Sequence, residues 1–88
     1  ATVPVGRRSD AVAVDPGTHT VYVVNNSDDS VSVIDGGNKT VIATVPVAPG
    51  PYSLAVDPGT HTVYAGSSDP HGGAGAVSVI DGSTHAVT

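Results

Sequence analysis

The chain has 88 residues and a net charge of −5, with eight Asp and no Glu set against Arg7, Arg8 and Lys39. That balance lacks the basic footprint of a nucleic-acid or anionic-membrane binder, so neither is expected as a partner, and no apolar run approaches the ~20 residues of a membrane-spanning helix. A chain this short buries only ~60% of its unfolded surface. Without Phe, Trp, Met or Cys, its core must come from Val, Ala, one Leu, three Ile and three Tyr, a composition that calls for added burial from neighbours.

In chain order, ATVPV at 1 to 5 is followed by a polar loop over Gly6 to Ser9. Asp10 to Asp15 then reads as a strand, and Asp15-Pro16-Gly17-Thr18 as a turn with Asp at its first and Pro at its second position. Thr20 to Asn25, Ser30 to Asp35 and Thr40 to Val47 are three more strands rich in β-branched residues. Asn26-Ser27-Asp28-Asp29 and Gly36-Gly37-Asn38-Lys39 separate them as turns, and no stretch has a helical pattern. The pattern then starts again. ATVPV returns at 43 to 47 and AVDPGTHTVY, first seen at 13 to 22, at 55 to 64, both offset by 42. VSVIDG at 31 to 36 recurs at 77 to 82, an offset of 46, so the second copy holds four extra residues within a loop, SSDPHGGAGA, at 67 to 76.

A period of about 40 residues with four strands per period marks β-propeller blades rather than helical solenoids. The fold class expected is therefore all-β, two four-stranded antiparallel blades over 1–42 and 43–88, belonging to a propeller closed by oligomerisation or by a longer parent chain. The strands are apolar on both faces, as in Val21, Tyr22, Val23 and Val24, which suits sheets covered on both sides by stacking.

Tyr22-Val23-Val24-Asn25, VSVID at Val31 to Asp35 and TVIATVPV at Thr40 to Val47 resemble the YVTN-type propeller repeat, and the resemblance runs through the whole chain. It departs at Tyr64-Ala65-Gly66-Ser67, where the repeat usually has Asn, and at Ser9, where the second copy has the more usual Pro51. The resemblance implies an extracytoplasmic setting, whether periplasmic, secreted or at the cell surface. It also points to two kinds of role: a binding or structural module, or a fragment of a lactonase-like or lyase-like enzyme.

Propellers gather ligands at one rim, built by the loops after every second strand. That rim is expected to hold Arg7, Arg8, Asp28, Asp29, Tyr52, Asp69 and His71. The Arg7-Arg8 pair suits a carboxylate or phosphate, against the alternative of pairing with Asp10, Asp28 or Asp29. Asp69-Pro70-His71 brings a carboxylate beside an imidazole, and Asp28-Asp29 places two carboxylates side by side. Each is too small a set for a metal cage, so no metal and no cofactor are expected. His19 and His61 repeat, as do Asp15, Asp57, Asp35 and Asp81, and repetition points to a structural duty, because a catalytic group is needed once and a turn residue in every blade. With no acid, base and nucleophile set supported by motif, a non-catalytic scaffold presenting a binding or assembly surface is the expectation, with the enzyme fragment as alternative.

Assembly is expected from the phase of the repeat. The fourth strand of the second copy has only His85, Ala86, Val87 and Thr88, and the residues that would complete it, ATVPV, match Ala1, Thr2, Val3, Pro4 and Val5. The two offsets, 42 and 46, together equal the chain length of 88, so identical copies are expected to stack in phase. A head-to-tail ring of three or four chains, or further blades of a longer chain, is the expected partner.

Overall fold

In a computed structural model that describes residues 2–6, 9–68 and 75–88, eight strands form two sheets. The first sheet contains β1 (Ser9–Asp15), β2 (Thr20–Asn25), β3 (Ser30–Asp35) and β4 (Thr40–Pro46). The second contains β5 (Pro51–Asp57), β6 (Thr62–Ser67), β7 (Ala76–Asp81) and β8 (Ala86–Val87). Both are antiparallel meanders in sequence order. The expected strands recur with ends shifted by one residue at most in the first copy. The turn expected over Asn26-Ser27-Asp28-Asp29 is present, and, against the expectation of no helical stretch, Asn26–Asp28 within it forms a single 3-10 turn. It closes on Asp29 in the left-handed region, with the Asp29 N–H donating to the Asn26 carbonyl, and a short polar residue adopts that conformation with little cost.

The remaining described hairpins are closed by one recurring device. Asp15 and Asp57 each accept the N–H of the glycine two residues on, both at 3.0 Å. Asp35 does the same for Gly37 at 2.7 Å and Asp81 for Ser83 at 2.8 Å. His19, Lys39, His61 and His85 then take φ values of 52, 58, 54 and 59° and turn the chain back. An Asx turn followed by one left-handed residue makes a local, self-contained hairpin. The hydrogen bond from Ser83 holds the Asp81 carboxyl below its ordinary value.

The two sheets stack face to face in the same order, with β5 against β1 and β2 and β4 beside β8. Alternation along each strand sends Tyr22, Val24, Val31, Val33 and Val45 of the first sheet into the seam. They meet Val63, Ala65 and Ile80 of the second sheet, flanked by Leu54 and Val56. The repeat is therefore used asymmetrically: the first sheet buries one face and the second buries the other. Tyr22 is 1% exposed, whereas its repeat equivalent Tyr64 is 41% exposed; Val31 is 0% exposed and its equivalent Val77 is 64%. Conversely Val56 is half-buried in the seam, and its equivalent Val14 lies on the outer face of the first sheet.

Candidate functional site

At one end of the stack the loop between β2 and β3 meets the linker between the sheets. Asn26 Nδ2 donates to the Pro51 carbonyl at 2.8 Å, and the Gly50 N–H donates to Asp29 Oδ1 at 3.0 Å. The Val47 N–H donates to the Asp29 carbonyl at 3.0 Å, and the Ser68 N–H to the Gly50 carbonyl at 3.0 Å. Ser67 Oγ donates to the Ala48 carbonyl while the Ala48 N–H donates to Ser78 Oγ. Gly6 belongs to the same end, since a Cβ there would lie 2.6 Å from Asn25 Cγ and 2.7 Å from Asp28 Oδ2. Among the described residues, Gly6, Asn26 to Asp29 and Ala48 to Pro51 thus lie together, held by backbone–backbone and side-chain–backbone hydrogen bonds.

Of the rim residues, Asp29 is committed to this staple through both its carboxylate and its carbonyl. Asp28 sits beside Gly6. Tyr52 is the extra residue of a β-bulge between Pro51 and Ser53, which turns its ring outward, half exposed; bulges commonly re-aim a side chain in this way. Beside it a shallow hollow of about 370 Å³ is lined by Tyr52, Ser53, Gly66, Ser67, Ala76 and Val77. Arg7, Arg8, Asp69 and His71 lie outside the described residues, as does Ala1. Thr2 to Val5 belong to no strand, and Thr88 closes the second sheet with its N–H on the Val79 carbonyl at 2.8 Å. Of the four positions expected at that end of the chain, Ala86 and Val87 form β8, while His85 is the left-handed turn residue before it.

Above Asn25 the first sheet has a buried polar cluster. Its Nδ2 donates to Ser32 Oγ at 2.8 Å and Ser30 Oγ at 3.2 Å, while its Oδ1 has no partner among the described residues. The second copy places Ser67 at this position, which instead bonds the linker.

A pairing not foreseen from the sequence lies at the opposite end of the seam. His61 Nδ1 is 2.7 Å from Asp15 Oδ2, and since an ionised carboxylate only accepts, the imidazole nitrogen carries the proton and donates it. Asp15 is buried and also accepts the Gly17 N–H. The hydrogen bond from His61 is the largest influence holding its carboxyl below the ordinary value, against the opposing effect of burial. Tyr22 next to it has its hydroxyl pushed above its ordinary value, by burial first and by the Asp15 charge second. Asp15 comes from the first Asp-Pro-Gly-Thr turn and His61 from the second. The signal was present in the sequence as an exact repeat of both residues, but only stacking shows that the histidine of one copy reaches the aspartate of the copy before it.

Comparison of the sequence with protein-family models and with curated proteins found no match. Among solved structures, the chain is similar to hydrazine synthase of Kuenenia stuttgartiensis, with 31% identity, a TM-score of 0.83, and coverage of 92% of this chain and 22% of that one. It is also similar to apo AztD from Citrobacter koseri, with 22% identity, a TM-score of 0.77, and coverage of 98% of this chain and 24% of that one. The chain thus spans less than a quarter of either protein. Both are β-propeller proteins, and the two four-stranded sheets of this chain are blades of the same fold.

Proposed function

We propose that the chain is a non-catalytic propeller module of the YVTN repeat type, working outside the cytoplasm, whose task is to present binding and assembly surfaces. The observation that carries this reading is the unequal burial of equivalent residues. Tyr64 and Val77 on the outer face of the second sheet are exposed, and so are Val12 and Val14 on the outer face of the first. Contiguous exposed apolar surface marks an interaction site, and each of these faces is chemically the counterpart of one side of the internal seam. The sheet edge supports the same reading. β4 pairs along β3 from Ser30 to Asp35, whereas β8 pairs only with Ile80 and Asp81 of β7. Residues Ala76 to Ser78, with the Val79 N–H, therefore present an edge matching the one that Ala43 to Pro46 cover in the first sheet, while the Val79 carbonyl is taken by Thr88. In the proposed assembly, Thr2 to Val5 of another copy occupy that edge, and exposed edges of this kind recruit strands.

Rim ligands, in this reading, bind at Tyr52 and its hollow together with the loop residues Arg7, Arg8, Asp28, Asp29, Asp69 and His71. The test is the native mass in solution across a concentration series. The expected outcome is a discrete species of three or four chains at micromolar concentration; a folded monomer throughout, with Val77 and Val79 amides exchanging freely, would overturn the assembly reading.

A further inference from the structure

We infer that His19 and Asp57 are the two halves of an inter-blade pairing completed by a second copy of this chain: the Asp57 turn of one copy seats in the hollow beside His19 of the next. This inference rests on the assembly reading above and specifies its chemistry.

The internal seam is the template. There the Asp15-Pro16-Gly17 turn of the first sheet leans on His61 of the second. Asp15 Oδ2 takes the Nδ1 proton at 2.7 Å, and a Cβ at Gly17 would stand 3.3 Å from the His61 ring carbon Cε1. The turn therefore approaches the imidazole closely along its glycine, and the histidine is held in place by the left-handed backbone at φ 54°. Each of these features recurs where no sheet covers it. His19 has the same backbone, with φ 52°. Its carbonyl accepts the Gly36 N–H at 2.8 Å, as the His61 carbonyl accepts the Gly82 N–H at 2.8 Å, so the two rings are presented from equivalent scaffolds. Asp57 starts the same Asx turn as Asp15, with the Gly59 N–H on Oδ1 at 3.0 Å, which leaves Oδ2 oriented for a second donor as in Asp15.

Shape agrees with chemistry. A hollow of about 410 Å³ lies on the outer face of the first sheet, lined by Val14, Thr18, His19, Val21, Asp35 and Gly37. In the second sheet the corresponding Val56, His61 and Val63 are the residues covered by the first sheet. The surface that fits this hollow is therefore an Asp-Pro-Gly turn flanked by a tyrosine, and the outer face of the second sheet supplies one in Asp57-Pro58-Gly59 with Tyr64. The two faces differ, so the contact is heterologous, and each copy offers one donor half and one acceptor half.

The experiment uses two half-blocked chains. V12K/V14K closes the first-sheet face and leaves Asp57 and Tyr64 intact; Y64K/V77K closes the second-sheet face and leaves His19 intact. All four positions are exposed, so the lysines are compatible with folding, which circular dichroism checks. Mixed one to one, the two chains are expected to form a heterodimer and nothing larger. D57N in the first chain keeps the oxygen that accepts Gly59, and H19A in the second removes the donor. Each is expected to weaken the heterodimer about tenfold or more, the scale of a hydrogen bond to a charged group, and the two together no more than either alone. H85A in either chain is expected to change nothing.

A heterodimer indifferent to D57N and H19A would overturn the pairing and leave the assembly reading standing. Absence of both the heterodimer and wild-type assembly would overturn both. In the otherwise unaltered chain, D57N must also raise the concentration needed for assembly; an unchanged concentration counts against the pairing.

Discussion

Replacing Tyr22 and Tyr64 one at a time by alanine tests the asymmetric stacking directly, because the two residues close the same ten-residue repeat AVDPGTHTVY and differ in what covers them. Tyr22 is 1% exposed and Tyr64 41%. Taking ~200 Å² for a buried tyrosine and ~25 cal/mol per Å², the extra 40% of burial is worth about 2 kcal/mol in favour of Tyr22. Removal of a fully buried aromatic ring costs about 3–5 kcal/mol, a large share of the roughly 5–15 kcal/mol that holds a domain together. At concentrations low enough for single chains, Tyr22→Ala should therefore melt lower than Tyr64→Ala by about 8–16 °C, from 4–8 °C per kcal/mol for a domain of this size. Raising the concentration should close this gap, as Tyr64 becomes covered by the next copy and its loss begins to weaken assembly as well. Thermal melts by circular dichroism over a hundredfold range of concentration read both effects. Equal melting temperatures at the lowest concentration would refute the assignment of buried and outer faces; a gap independent of concentration would refute the idea that a second copy covers Tyr64.

Three further expectations follow from named contacts. The Asp15 carboxyl titrates below its ordinary value of 3.8, so on acidification the unfolded chain takes up the proton first and stability falls. That contribution is complete above the ordinary value and lost as pH drops through the lowered one, and Asp15→Asn should flatten this part of the acid unfolding curve; superimposable curves would refute it. Gly36→Ala and Gly82→Ala should each destabilise by about 1–3 kcal/mol, because a Cβ at either site runs into the carbonyl of His19 or His61, which accepts that same glycine's N–H; urea midpoints unchanged from the parent would refute the close approach. Chelator should leave the melting temperature unchanged, since a metal at a hundredfold excess over its Kd would add about 2.7 kcal/mol, and a drop of several degrees on chelation would reveal a bound ion.

Strand positions and hairpin turns were legible in the sequence because both depend on residues near one another in the chain. Asp15, Asp35, Asp57 and Asp81 each bond a backbone N–H two residues ahead, and β-branched runs between such turns extend by local sterics alone. The repeat of these units also determined the architecture, since a four-stranded unit with two apolar faces has to stack on its own kind. The bulge that turns Tyr52 outward and the staple from Asp29 to Gly50 were not legible, although the loops concerned were named, because each depends on a register or a loop contact between strands. Nor was it legible that His61 meets Asp15 while His19 and Asp57 remain on outer faces. An exact repeat gives equivalent residues identical local instructions, and only the stacking of one sheet on the next, which covers opposite faces of the two copies, makes Tyr22 core and Tyr64 surface.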